Sequence, residues 1–293
     1  MAYQQTKTLL RKQGLAPTKK LGQNFLVHRH TAERIVELAR ISADDTVLEI
    51  GVGLGALTGP LAAAARNVIG LEADSGIVRL HDEQGDLPDN VRLIHQDVLK
   101  ADFEKLYRLC NQKLKIIANL PYSISSPFLF RLIEHHNLME SAVIMLQKEV
   151  GLRLTAQPGT REYGVPTVLL ASCAAAETLM QVGPEEFHPR PKVDSIVCRL
   201  TFHPRPARVE SLGSFDFSLF RRVVNGAFGQ RRKTLLNALS ATGLLDRQHM
   251  QTAIEKSGLV PSIRAERLTL ENFVHLTRAI EQAINHKASC PVK

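Results

Sequence analysis

Between residues 46 and 146 the apolar positions fall into short runs. The segments 46–50 (TVLEI), 67–71 (NVIGL), 91–95 (VRLIH), 114–118 (LKIIA) and 141–146 (SAVIML) are β-branched or aliphatic. Helix-compatible sequence separates them, most clearly at 57–65. This rhythm predicts βαβ units and a mainly parallel sheet covered on both faces. Residues 165–176 are apolar on most sides and read as a buried helix. Segments 177–182 and 193–202 read as an antiparallel strand pair at the sheet edge, joined by a Pro-rich connection. At 203–210 (HPRPARVE) two prolines among basic residues mark a linker. Beyond it the pattern predicts helices at 216–228, 231–242, 246–257 and 270–286. Gly229, Gly243, Gly258 and Pro261 break the series, and Asp246 is placed to cap the third helix. The expected organisation is a basic segment over 1–30, an α/β domain over 31–205 and a helical domain over 206–293.

The first strand runs into Glu49-Ile50-Gly51-Val52-Gly53-Leu54-Gly55. Glycines at such a strand-to-helix turn let backbone N–H groups approach a ligand closely. With Ala56 the run also fits a nicotinamide-dinucleotide pattern, so the neighbouring acids matter. Glu72 ends the second strand, where a carboxylate can accept both hydroxyls of a ribose, and Asp97 follows the third, placed to accept from an adenine amine. Glu49 stands two residues before the first glycine, where it would repel a pyrophosphate. It suits a ligand bearing an ammonium and a sulfonium, and S-adenosylmethionine has both. Strand-end acids also serve as helix caps; the combination of four such features at successive strand ends is what points to a cofactor crevice.

Asn119-Leu120-Pro121-Tyr122 directly follows the fourth strand. An adenine N6 is a poor nucleophile because its lone pair is delocalised into the ring. The Asn119 side-chain oxygen and the Leu120 carbonyl, accepting from its two N–H bonds, would favour a pyramidal nitrogen able to attack a sulfonium methyl in line. Pro121 stiffens the loop, and Tyr122 offers a face for an extruded base. The alternative is a turn in which Asn and Pro merely end a strand.

Composition narrows the classes. The 293 residues are 44% hydrophobic and 23% charged, as expected of a soluble globular protein. No apolar run approaches the ~18 residues of a membrane span, and the first thirty residues lack a secretory pattern, so a cytoplasmic location is expected. Four dispersed cysteines suggest neither a disulfide framework nor a metal site, and no metal is expected. The net charge is +8, concentrated in two acid-free segments. One holds Lys7, Arg11, Lys12, Lys19, Lys20 and Arg29; the other holds Arg221, Arg222, Arg231, Arg232 and Lys233. Taking those eleven from the 37 basic residues leaves 26 against 29 acidic ones. Such clusters fit a phosphate backbone, although solvated faces or an import signal would look alike by charge alone.

Taken together, these motifs resemble the ribosomal RNA adenine N6,N6-dimethyltransferases, in particular the bacterial enzymes acting on 16S rRNA. The resemblance runs from about Lys19 to Phe273. It includes Lys19-Lys20-Leu21-Gly22-Gln23-Asn24-Phe25-Leu26, the glycine turn, Asn119–Tyr122, the 187–195 segment (FHPRPKVDS) and the 227–235 segment (AFGQRRKTL). Val52 stands where the bacterial family usually has proline. The resemblance implies a Rossmann-like S-adenosylmethionine-dependent methyltransferase sheet with a small C-terminal all-helical domain. It further implies cofactor contacts at Asn24, Leu26, Glu49, Gly51, Gly53, Gly55, Glu72, Asp97 and Asn119, with S-adenosylhomocysteine as product. Phe187 would sandwich the flipped adenine against Tyr122, although the residue alone could equally be an edge-strand core aromatic. Lys19, Lys20, Arg221, Arg222, Arg231, Arg232 and Lys233 would contact rRNA of the maturing 30S subunit, and the chain is expected to act as a monomer. The 23S-directed macrolide-resistance enzymes share the Asn-x-Pro-aromatic logic but resemble this chain less beyond Phe202. An assembly factor with secondary catalysis is the alternative outside pure enzymology.

Overall fold

Short runs rich in β-branched and aliphatic residues produce the strands of this chain, with Gly51 directly after the run 46–50 and Asn119 closing the run 114–119. The protein is described over residues 24–289 by a computed structural model. Its main sheet contains β2 (Thr46–Ile50), β3 (Asn67–Glu72), β4 (Val91–His95), β5 (Leu114–Asn119), β6 (Met139–Gln147), β7 (Ala175–Val182) and β9 (Ser195–Thr201). A separate two-stranded ladder pairs β1 (Phe25–Leu26) with β8 (Phe187–His188). The order in the main sheet is β4-β3-β2-β5-β6-β9-β7. The first five strands are parallel, and β9 runs antiparallel to both of its neighbours. From β2 the chain steps outward to β3 and β4, then returns to the other side of β2 with β5. The switch point therefore lies between β2 and β5, where the carboxyl ends of an open α/β sheet leave a crevice.

The chain divides into two compact units. The first contains the described residues up to Gly151 together with Ala175–Pro204. Its helices are α1 (Arg29–Ala39), α2 (Thr58–Ala64), α3 (Ser75–Gln84), α4 (Phe103–Cys110) and α5 (Tyr122–Glu134). Val47, Val68, Ile117 and Val143 from four adjacent strands form one buried cluster with Ile35 and Val36 of α1 and Leu61 of α2. Burying each such side chain stabilises by roughly 1.5–3 kcal/mol. α3 is well delimited: Asp74 caps it by accepting from the Gly76 N–H at 2.8 Å, and Gly85 ends it with a φ of +56°.

α6 (Lys148–Leu154) crosses the division. The second unit contains Leu152–Ala174 and the chain from Arg205 onward. Its helices are α7 (Val165–Ala171), α8 (Ala207–Ser211), α9 (Phe217–Phe228), α10 (Leu235–Ser240), α11 (Arg247–Lys256) and α12 (Leu270–Ser289). Asp246 caps α11 by accepting from the His249 N–H.

Three local expectations change. The helix expected over 165–176 stops at Ala171, because Ala175 and Ala176 pair with Thr201 and Leu200 of β9. It also packs on α9, so it clusters with the helical unit. Of the two strands expected at the sheet edge, β9 lies inside it, between β6 and β7, leaving β7 alone at the edge. The helix expected over 231–242 begins only at Leu235, whose N–H is donated to the Ile263 carbonyl at 2.7 Å. Residues 229–233 form a turn, so the basic run lies on a turn instead of a helix start.

Candidate active site

The glycine turn follows β2 directly and faces the ends of β3 and β5. Gly51, Gly53 and Gly55 have φ values of +77°, +55° and +77°, which only glycine adopts without strain. Gly51 donates its N–H to the Leu71 carbonyl at 2.9 Å. A Cβ at Gly51 would sit 3.3 Å from the Asn119 backbone oxygen, so this glycine allows the β2 and β5 ends to close together. Gly53 donates its N–H to Glu72 Oε2 at 2.9 Å, and Glu72 Oε1 accepts from the Asp74 N–H at 2.9 Å. Burial raises the Glu72 carboxyl above its ordinary value, while these two amides pull it back down. Each Glu72 oxygen keeps a further lone pair for a ligand hydroxyl.

These elements line a cavity of about 210 Å³. Its wall includes Asn24, Leu26, Glu49, Gly51, Gly53, Glu72, Asp97, Asn119, Leu120 and Pro121. Residues expected to act together at four strand ends and at the N-terminal motif thus converge on one space, although they span nearly a hundred positions. Gly55 and Tyr122 flank the lining without belonging to it.

Glu49 is the unusual member. It is 1% exposed, and neither carboxylate oxygen has a hydrogen-bond partner among the described residues. Desolvation pushes its carboxyl up to about 8; the nearby Thr58 hydroxyl opposes this without making a well-formed hydrogen bond, and Glu72 adds to it. A buried acid with two open acceptors beside a cavity is a costly arrangement that a cationic ligand would relieve. An S-adenosylmethionine molecule fits this donor and acceptor set. Glu49 would meet its cationic amino-acid end and Glu72 its ribose. Asp97, whose Oδ1 already accepts from the Leu99 N–H, would offer Oδ2 to its adenine amine.

Asn119 ends β5, and its Nδ2 lies 3.5 Å from the Asn24 carbonyl. That contact is at the outer limit of a hydrogen bond and uses the donor side of the amide, so the accepting side is Oδ1. Pro121 stands just before α5, and the Ile124 N–H bonds its carbonyl at 3.1 Å. Tyr122 opens α5, and its hydroxyl is 2.9 Å from Ser195 Oγ, with Ser195 fully buried. Tyr122→Phe is expected to cost about 1 kcal/mol in urea unfolding by leaving Ser195 short of a partner. Transfer should stay within about tenfold of native, because the ring face is retained.

Phe187 differs from expectation. It is 1% exposed, pairs in register with Leu26 and belongs to the core cluster with Val182 and Val197. It does not line the cavity. In this conformation it acts as the core aromatic that the residue pattern also allowed, and no face is open for stacking a base.

A family model described as ribosomal RNA adenine dimethylase matches residues 15–282. The chain belongs to the ribosomal RNA adenine dimethylase family. A relative from Desulfotalea psychrophila, named ribosomal RNA small subunit methyltransferase A, is 50% identical over 97% of this chain and 98% of its own. One of the same name from Clostridium botulinum is 40% identical, covering 94% of this chain and 98% of its own. Among solved structures, a dimethyladenosine transferase from Plasmodium falciparum matches with a TM-score of 0.70 and 25% identity, over 88% of this chain and 98% of that one. The 23S rRNA methyltransferase ErmE matches with a TM-score of 0.63 and 25% identity, over 88% and 100%.

In this adenine dimethylase the basic residues of the second unit have distinct surroundings. Arg221, Arg222, Arg232 and Lys233 are exposed. Arg231 is committed differently: its Nη2 donates to the carbonyls of Arg161 and Tyr163, both at 2.7 Å, tying the turn to the 152–174 segment. Arg231→Ala is therefore expected to lower the melting temperature by several degrees. The Arg232→Ala, Lys233→Ala pair should leave melting unchanged and reduce the slope of log K against log salt for rRNA binding by about one to two. An unchanged slope in the double variant would remove both from the interface. Lys19 and Lys20 lie outside the described residues.

The sequence reading missed several wall residues. Phe25, Ala73, Ile77, Gln96 and Leu99 line the cavity and follow from neighbours already singled out. It also missed His81, which contacts the glycine turn from 28 positions away without lining the cavity.

Proposed function

We propose that this adenine dimethylase methylates N6 of two adjacent adenosines in the 3′-terminal hairpin loop of 16S rRNA, twice each, on a maturing small subunit. The observation that carries the chemistry is the Asn119 amide beside a cavity whose wall includes an unpaired buried carboxylate. The choice of subunit is supported by the names of relatives at 50% and 40% identity, against 25% for ErmE.

When bound, S-adenosylmethionine supplies a methyl group on a cationic sulfur, a strong leaving group. The protein's part is then binding, orientation and exclusion of water. Glu49 neutralises the buried positive charge, and Glu72 and Asp97 fix the nucleoside end. In the first transfer Asn119 Oδ1 and the Leu120 carbonyl accept from the two N–H bonds of the target amine, leaving its lone pair to point at the methyl group; in the second, one of the two accepts from the single N–H that remains. No strong general base is required, because the nitrogen loses its proton only after it has become cationic. A base reaches this site only when extruded from its stack, which suits a hairpin loop. We assign the second unit to rRNA binding through its exposed arginines and lysine, and the chain to action as a cytoplasmic monomer. Among the described residues no helix is long and apolar enough to cross a membrane.

The test is transfer of labelled methyl groups to unmethylated 30S and 50S particles side by side. Label on 30S alone is expected. Label on 50S would move the protein to the ErmE-like activity, a reading kept open by that enzyme's structural match. Tight 30S binding without transfer would leave an assembly factor.

A further inference from the structure

The glycine turn is gripped at both polar atoms of one residue. Gly53 donates its N–H to Glu72, as described, and its carbonyl oxygen accepts from His81 Nε2 at 2.8 Å. His81 sits in the last turn of α3 and is 4% exposed. Its Nδ1 lies 2.7 Å from Asp86 Oδ1. Each ring nitrogen thus lies within hydrogen-bond distance of an oxygen, so the ring is fixed in plane and in rotation. Gly85 makes this possible: its left-handed φ of +56° reverses the chain after α3, and its N–H returns to the His81 carbonyl at 2.9 Å. That reversal brings Asp86 back against a ring five residues earlier. Leu54 of the same turn packs with Ile77 and Leu80 of α3, so the helix holds the turn by an apolar contact as well as a polar one.

A turn with three glycines at positive φ has little intrinsic preference for one shape. It needs an external strut if binding is not to spend energy on ordering it. His81 does not line the cavity, so it cannot serve as a ligand to the cofactor itself.

We propose that His81, backed by Asp86, is a positioning residue of the S-adenosyl site that holds the Gly53 peptide, and with it Glu72, in the cofactor-accepting arrangement. This rests on reading the cavity as the S-adenosyl site. The role predicts a loss in affinity larger than any loss in turnover, because the strut acts on the turn and not on the reacting amine.

The test is calorimetric titration of S-adenosylhomocysteine into the full-length native protein and into His81→Phe, His81→Gln and Asp86→Asn. His81→Phe keeps a ring of similar size without donors and should weaken binding about tenfold. His81→Gln retains one donor toward Gly53 and should restore affinity to within about threefold of native. With saturating rRNA substrate, KM for S-adenosylmethionine in His81→Phe should rise more than kcat falls. Native protein that fails to bind would overturn the reading of the cavity and this proposal with it. Native binding with His81→Phe within about twofold would overturn the proposal alone, as would a fall in kcat at unchanged KM. If His81→Phe does not fold, Asp86→Asn decides, since Asp86 is half-exposed. A loss of about threefold or more at native melting temperature supports the strut, and native affinity overturns it.

Discussion

Asn119→Ala is expected to lower methyl transfer by about a thousandfold while leaving S-adenosylhomocysteine affinity within about threefold of native. The two effects separate because side chain and backbone of this residue face different tasks. Its backbone continues β5, opposite Met145 of β6, and its carbonyl packs against Gly51. Alanine keeps both, so the cofactor side of the cavity survives. The Nδ2 contact with the Asn24 carbonyl is long at 3.5 Å, and its loss removes little binding energy. What disappears is Oδ1, the acceptor proposed above for the target amine. Single-turnover transfer to 30S particles, paired with calorimetry, separates the outcomes. Equal losses in both would make Asn119 a cofactor ligand only.

Glu49→Gln is the second large effect, and it reverses sign between binding and stability. In the folded protein the Glu49 carboxyl is pushed to about 8, against an ordinary value of 4.5. Below pH 4.5 the folded and unfolded chains are both neutral at this position. Between 4.5 and 8 the unfolded chain ionises first, so the ligand-free fold loses stability as pH rises through that window. Above 8 the penalty is constant. Glutamine cannot ionise, so the ligand-free variant should melt higher than native at pH 8 and differ least at pH 4.5. Binding of S-adenosylmethionine should show the opposite trend. A cationic ligand requires the carboxylate, so affinity should rise by up to tenfold per pH unit toward pH 8 and then flatten, with proton release visible in buffers of different ionisation enthalpy. Glu49→Gln should bind about a hundredfold more weakly at pH 8, without that pH slope. A slope retained in the variant would show that another group releases the proton.

The sequence made the strand series, the switch-point turn and Asn119 readable for one physical reason. In a parallel α/β sheet, residues that follow successive strands end at the same edge, so order along the chain becomes proximity in space. Glu49, Glu72, Asp97 and Asn119 group together on that basis from the sequence alone. Features that depend on remote packing were not readable. Val165–Ala171 has a helix's apolar pattern, but its packing on α9 is set by contacts some fifty residues away. Phe187 could be assigned to a base or to the core by residue type alone, and burial against Leu26 and Val197 decides its present position. Arg231 matches its neighbours Arg232 and Lys233 in residue type, and only the fold brings the Arg161 and Tyr163 carbonyls to its guanidinium. His81 has no motif around it, and nothing local marks the Gly53 carbonyl as its partner.

The most direct measurement is mass spectrometry of nuclease fragments from 16S rRNA, after unmethylated 30S particles react with the native protein and S-adenosylmethionine. Two adjacent N6,N6-dimethyladenosines are expected in the 3′-terminal hairpin loop, absent when Asn119→Ala replaces the native protein. Methylation at another nucleobase atom, or dimethyladenosine found only in 23S rRNA from parallel 50S reactions, would contradict the proposed function.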